Sequence, residues 1–362
     1  MVGRGPTLPR VTEGFRVDSQ VDITPDTLWI RGGRALVGLG PSLILDPGTG
    51  PGRYQRALTA LRESGRKRAM ASFTFDPDEP GSVVVVPTEF VEIPADELTS
   101  SEFPTHGRVV SDGTTAWRRA MPRALESISA NTVQKVVVTR QVDVVFDSKV
   151  AIGAVVDRLR TTEPRSFTFM VSGLIGASPE LLVSLEDGRI SSLVLAGTAL
   201  DPDNLKSDKM DREHSLSLAS VEDGVSPHTI SLNVEQRQVL EFGDLNHLAT
   251  RVSGQAVTGT TVLDVLSSLH PTAAVAGRPS DTALKVIKEL ELRSRGRYAG
   301  PVGWFNLEGE GEFAIALRCG LIDNDKATLY AGGGIVRGSD ADSEFAETEL
   351  KLRPMLNALG LD

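Results

Sequence analysis

Lys135 interrupts a β-branched run, T-V-Q-K-V-V-V-T-R over residues 132–140. A lysine inside a strand points to one face of it. On a buried face, desolvation lowers its pKa and makes it a usable base. On an edge strand it faces water, as most lysines do, and the sequence leaves both readings standing. Glu180 follows Pro179 in G-A-S-P-E-L-L, just ahead of an apolar strand. A carboxyl held at such a junction is either an acid with a raised pKa or a turn carboxylate bonded to backbone N–H groups.

Arg318 breaks the alternating run A-I-A-L-R-C-G-L-I (314–322), where alternation places it on the face of Ala314 and Ala316. A buried arginine needs an anion. Tyr298 and the A-G-G-G-I backbone (331–335) would add donors for the same anion. Glu344, Glu347 and Lys351 fall at i, i+3 and i+7 of one expected helix and so share a face. With Glu213, the two glutamates Glu344 and Glu347 form an all-oxygen set of the kind magnesium prefers. As a plain solvated face, the Glu347–Lys351 pair would contribute only about 0.2–0.5 kcal/mol. His214 and His270 are either hydrogen-bonding site residues or structural ones. Together these side chains suit a magnesium-assisted acid/base enzyme acting on a small polyanion.

Those residues need strands and helices to position them. Short apolar pieces between glycines over 21–44 read as antiparallel strands with tight turns, after a polar arm over 1–20. A helix is expected over 53–68, and the V-V-V-V run (83–86) reads as a buried strand. Residues 91–113 read as an irregular, mobile connection. Helices are expected over 117–128, interrupted early at Pro122, and over 151–159. Residues 167–171, 176–185 and 191–198 read as strands, and a polar loop leads into a helix holding Glu213. Residues 233–242 read as polar and exposed, and 251–257 as a short strand. Helices are then expected after a cap at Thr260 or Thr261, and after one at Ser280 or Asp281 to about Arg293. Short strands with helices set between them in small groups indicate an α+β fold rather than a doubly wound parallel sheet.

The chain has 362 residues, 40% hydrophobic and 24% charged, ordinary for a globular protein. Its net charge of −10 argues against a nucleic-acid partner. No window approaches 18 uninterrupted apolar residues and the N-terminus lacks a signal-peptide core, so a cytoplasmic protein with no membrane partner is expected. Cys319 is the single cysteine, which excludes a disulfide framework and a cysteine-built metal site. It is expected to be a buried packing thiol. No P-loop, H-E-x-x-H or G-x-S-x-G is present.

From about Thr132 onward the chain resembles the chorismate-utilising enzymes, which include isochorismate, salicylate, anthranilate and aminodeoxychorismate synthases. The matching strings are Q-K-V-V-V-T-R, G-A-S-P-E-L-L, L-A-G-T, R-E-H, H-P-T-A-A-V-A-G, R-Y-A-G-P-V-G-W, A-L-R-C-G, L-Y-A-G-G-G-I-V and E-F-A-E-T-E-L-K-L. The resemblance implies an α+β fold of large antiparallel sheets packed as a sandwich with helices outside. Residues 1–130 would be a divergent N-terminal part of that fold and 131–362 its chorismate-binding catalytic region, in one structural domain. It also implies roles. Lys135 would activate water for attack at C2 of chorismate, and Glu180 would protonate the departing C4 hydroxyl. Glu213 and Glu347, assisted by Glu344, would hold Mg2+ against the ring carboxylate. Arg318, Tyr298 and the backbone at Gly333 and Gly334 would hold the enolpyruvyl carboxylate. Gly197, Thr198, His270 and Lys351 would complete the site.

Within the family, Lys135 points to water rather than ammonia as nucleophile, and Ala196 offers no nucleophilic amine. The H-P-T-A-A-V and Y-A-G-P-V-G-W strings resemble isochorismate synthases, with salicylate synthase as the neighbouring alternative and a non-catalytic chorismate-binding paralogue as the other. A monomer without a glutaminase subunit is expected, its product serving menaquinone or siderophore synthesis. One departure is a spacer over 199–211 shorter than the family's usual loop and helix, with Asp208, Lys209 and Asp211 remaining of its charged residues.

Overall fold

The β-branched run around Lys135 becomes the strand Lys135–Phe146 in a computed structural model that describes residues 15–17, 21–23, 27–100 and 102–361. The polar arm expected over 1–20 lies outside these residues, apart from the short strand Phe15–Val17. In the Lys135 strand every residue from Lys135 to Arg140 is buried, and burial alternates from there to Phe146. The first half is therefore covered on both faces. Lys135 stands opposite Val336 on one side and Arg278 on the other, so it does not sit on an open edge.

Among the described residues there are two ten-stranded sheets and a two-stranded ribbon. The first sheet contains the Lys135 strand, its partner Lys326–Val336, and then Cys319–Asp323 and Leu174–Ser178. The second contains Leu245–Ala256, Arg189–Ala199, Leu181–Glu186 and Gly311–Ile315 in that spatial order. The sheets pack face to face, and one core joins Trp29 and Phe169 of the first to Val84 and Phe313 of the second. Strands from residues 27–94 enter both sheets.

The helices are α1 (Arg53–Glu63), α2 (Thr114–Ser129), α3 (Ile152–Thr162), α4 (Asp208–Val225), α5 (Val262–Leu269), α6 (Ser280–Leu290) and α7 (Ala341–Leu359). A second core on the outer face of the first sheet joins Val142 and Leu329 to Val155 of α3 and Leu352 of α7. No helix among the described residues is long and apolar enough to cross a membrane.

Several expectations change. Helix α2 runs through Pro122 rather than breaking at it. The carbonyl of Arg118, which loses its helical donor there, belongs to an exposed residue and can bind water instead. The stretch 91–113 contains the edge strands Glu89–Pro94 and Gly107–Ser111, where apolar and acidic residues alternate or lie half exposed. Residues 229–242 supply two more edge strands, and the strand expected over 251–257 is the longer Leu245–Ala256. Arg318 lies in no strand: the run 311–323 is two strands belonging to different sheets, with Arg318 in the passage between them at φ +48°.

Candidate active site

Two passages between the sheets build one end of the site. The chain leaves Leu174–Ser178 in the first sheet and enters Leu181–Glu186 in the second, turning at Pro179 and Glu180. Alongside and antiparallel to it, Gly311–Ile315 of the second sheet gives way to Cys319–Asp323 of the first, turning through Arg318. Ser178 Oγ donates to the Ile315 carbonyl at 2.6 Å. The Ala177 N–H donates to the Arg318 carbonyl at 3.1 Å, and the Ile315 N–H to the Glu180 carbonyl at 3.2 Å. The two corners are locked together, and Glu180 and Arg318 both line the cleft beneath them.

That cleft holds about 680 Å³ of empty space, a figure that includes the solvent at its mouth. Its floor is opened by glycine. Opposite Val137, Val138 and Thr139 of the Lys135 strand lie Gly334, Gly333 and Gly332. A Cβ at Gly334 would stand 2.2 Å from Glu213 Oε1, and one at Gly332 would stand 3.2 Å from the Tyr298 hydroxyl. Gly332 and Gly334 line the cleft. Gly333, by alternation, points the other way, where its Cβ would meet Glu344 Oε2 at 3.2 Å. It makes room for the Glu344 carboxylate rather than for ligand.

Glu180 is 5% exposed. Burial pushes its carboxyl up to about 8, against the opposing pull of the Leu195 N–H and of Lys135 and Lys351. At neutral pH it therefore carries a proton. Arg318 is also buried, and its Nη1 has no hydrogen-bond partner among the described residues. Burial draws its pKa down, while Glu163, Tyr298 and Glu347 act from a distance to raise it. A buried guanidinium with an open donor is a ready anion site. Tyr298 stacks on Tyr330 at 5.0 Å, and both rings line the cleft. The turn that presents Tyr298 is tight: Ala299 has φ +61°, and a Cβ at Gly300 would stand 2.0 Å from the Phe73 carbonyl.

The charged set gathers behind the glycines. Lys135 is fully buried, and its Nζ donates to Ser217 Oγ at 3.0 Å and lies 3.2 Å from Glu213 Oε1. It stands behind Glu213, which lines the cleft, and does not line it directly. Helix α4 brings Glu213 there despite the short spacer. Ser207 caps α4 by accepting from the Met210 N–H, and His214 ties it to the second sheet through the Ala196 carbonyl (3.2 Å) and Thr250 Oγ1 (2.8 Å). Burial opposes the ionised form of Glu213, yet Lys135, Lys351 and Lys209 outweigh it and hold the carboxyl below its usual range.

Helix α7 supplies Glu344, Glu347 and Lys351. Arg140, on the opposite face of the Lys135 strand, sets its rotation by lying 4.2 Å over the Phe345 ring and donating to Thr348 Oγ1 at 3.2 Å. Glu344 is buried and faces Lys209 at 2.6 Å. Glu347 pairs with Lys351 at 2.5 Å, and Lys351 Nζ donates to the Gly332 carbonyl at 2.9 Å.

Three hard carboxylates are the right donors for magnesium, and the buried Glu344 Oε1 receives no well-directed hydrogen bond from the described residues. Each carboxylate is nevertheless held by a lysine. Among the described residues no three acidic, histidine or cysteine side chains are gathered closely enough to hold a metal. The donor chemistry fits the ion; ligation requires the lysines to yield.

Histidine placement departs from expectation. His270 does not line the cleft; its Nε2–H donates to the Ala299 carbonyl at 3.1 Å, and burial draws its pKa down to about 3. His247, not picked out from the sequence, does line it. A bulge after Leu195, with Gly197 at φ +81°, brings Thr198 opposite His247, and Thr198 Oγ1 lies 3.0 Å from His247 Nδ1. Burial holds the His247 imidazole well below its usual pKa, and Nε2 has no partner among the described residues. Ser217, the buried partner of Lys135, was likewise missed. Its place one turn after Glu213 was the available signal.

A family model described as chorismate binding enzyme matches residues 88–360. The chain is 35% identical to isochorismate synthase MenF of Bacillus subtilis (strain 168) over 263 residues, 67% of this chain and 55% of that relative's length. It is 31% identical to isochorismate synthase EntC of Escherichia coli (strain K12) over 339 residues, 85% of this chain and 86% of the relative. Among solved structures, MenF, the menaquinone-specific isochorismate synthase from Escherichia coli, superposes with a TM-score of 0.74 at 25% identity, covering 97% of this chain and 89% of that one.

Proposed function

The chain belongs to the chorismate-binding enzyme family, and we propose that it is an isochorismate synthase, a hydroxymutase-type isomerase interconverting chorismate and isochorismate. The observation that carries the reading is Glu180, a carboxyl kept protonated by burial at one corner of the cleft, with a wholly buried lysine, Lys135, near enough for its charge to act on that carboxyl. The reaction needs such a pair. Water attacks C2 of the ring, Lys135 takes its proton, the ring double bonds shift, and the C4–O bond breaks as Glu180 delivers a proton to the leaving hydroxyl. One water enters and one leaves, with no change of oxidation state. Water is the nucleophile, so a single chain without a glutaminase partner suffices.

Arg318 and Tyr298 would hold the enolpyruvyl carboxylate, and Thr198 with His247 would orient the ring from the opposite wall. Glu213, Glu344 and Glu347 would hold magnesium, which when bound neutralises the ring carboxylate of the dianionic substrate. Lys351, fixed between Glu347 and the Gly332 carbonyl, adds positive charge on the same side.

Incubating the purified protein with chorismate and magnesium and reading the products by NMR tests the proposal. Isochorismate in equilibrium with chorismate is expected. Salicylate with pyruvate would place the chain with the salicylate synthases, and binding without turnover would make it a non-catalytic paralogue. A second outcome concerns Arg318. Arg318→Met removes the charge but keeps the apolar bulk, and should raise KM roughly 10- to 100-fold, the loss of a charge-assisted hydrogen bond. Steady-state kinetics checks this; an unchanged KM would take Arg318 out of the substrate site.

A further inference from the structure

Helix α4 presents Lys209 and Glu213 one turn apart on the same face. Lys209 Nζ lies 2.6 Å from Glu344 Oε1, and the charges of Glu213 and Glu347 reach it as well. The other two lysines of the cluster have additional work: Lys135 donates to Ser217, and Lys351 donates to the Gly332 carbonyl and lines the cleft. Lys209 does not line the cleft, and among the described residues its ion-pair contact is with the acidic set alone.

The mobility of the two partners differs. Glu344 is 1% exposed and sits on α7, whose rotation Arg140 fixes through Phe345 and Thr348. It cannot turn to water, and a buried carboxylate without a counter-charge is costly. The Lys209 side chain is 21% exposed, in the first turn of its helix, on a long flexible stem that can carry its ammonium out to solvent. If one partner leaves when another cation arrives, it is the lysine.

We propose that Lys209 is an internal counter-cation: it compensates Glu344 while no divalent cation is bound, and is displaced into solvent when one enters the Glu213, Glu344 and Glu347 set. This rests on the reading of that set as a magnesium site. Lys209 is then a positioning residue that sets how tightly the metal binds, not a catalytic one. It competes with the ion for one carboxylate, so the metal-free protein keeps a folded, charge-balanced site at the expense of metal affinity.

The test is isothermal titration of the full chain with magnesium chloride alone, at fixed pH and ionic strength, for the wild type, Lys209→Met, Lys209→Gln and Lys209→Arg. Both neutral variants should bind magnesium at least about tenfold more tightly than the wild type, and Lys209→Arg should stay close to it. In thermal unfolding the neutral variants should melt below the wild type without magnesium and recover at saturating magnesium. That pattern needs no turnover. Equal or weaker magnesium binding by both neutral variants would overturn the role of Lys209 while leaving the metal site intact. No magnesium binding by any of the four folded proteins would overturn it together with the metal site.

Discussion

Glu180→Gln should lower kcat by about three orders of magnitude, the middle of the range for general acid catalysis, and yet make the protein more stable at pH 8. The two effects have one cause. The carboxyl ionises near 4.5 in water and near 8 in its buried place at the sheet corner. Between those values the folded chain holds a proton that the unfolded chain has released. Stability from this group is fully present below about pH 4.5 and is lost as pH rises through the window to about 8. At pH 8 the loss amounts to about 4 kcal/mol. Glutamine keeps the shape and the contact with the Leu195 N–H but has no proton to lose, so its stability should not carry this slope. Thermal unfolding at pH 5 and pH 8 measures it. The wild type's kcat should also fall as pH rises past about 8, where the acid form disappears. A variant that loses activity with no gain in alkaline stability would show that Glu180 is not held protonated.

Lys135→Ala should lower kcat by about 10³-fold while changing chorismate affinity only a few-fold, since Lys135 stands behind the cleft wall rather than in it. The substitution empties a buried space beside Ser217 and Glu213. Small primary amines should enter that space, and added methylamine should recover part of the rate. A merely structural lysine would leave a protein that amines stabilise without raising kcat. Without the Lys135 side chain Glu213 also loses a buried partner, so the variant should unfold at lower temperature. An unchanged kcat would remove Lys135 from the reaction.

Residue type revealed more of this site than residue position did. Lys135, Glu180 and Arg318 stood out because each is a charge in apolar company. Their settings did not, since alternation describes one sheet and the runs around Glu180 and Arg318 pass between two. Read as a strand, A-I-A-L-R-C-G-L-I singled out a residue that lines the cleft but placed it on the wrong backbone. The glycine triplet was legible as a donor-rich backbone, but which glycines face the cleft depends on the register Val137↔Gly334. The two histidines reversed roles for the same reason. His270 sits in a distinctive string, whereas His247 lies in an ordinary strand and gains meaning only from its register opposite Thr198.

The edge strands within 89–111 were hidden because half-exposed strands carry polar residues that read like a loop. The first hundred residues carry no motif yet place strands in both sheets. Sheet membership is specified by apolar pattern, which many sequences share. The approach to Glu213 shows the converse. The short spacer still delivers the helix, because Ser207 caps it and His214 bonds the second sheet whatever the loop length.

The central claim is that water adds at C2 while the C4 hydroxyl departs. Turnover of chorismate in ¹⁸O-enriched water with magnesium, followed by mass spectrometry and ¹³C NMR of the product, tests it directly. Isochorismate carrying a single ¹⁸O, on C2, is the predicted result. Isochorismate without the label, or salicylate with pyruvate as the released products, would contradict it.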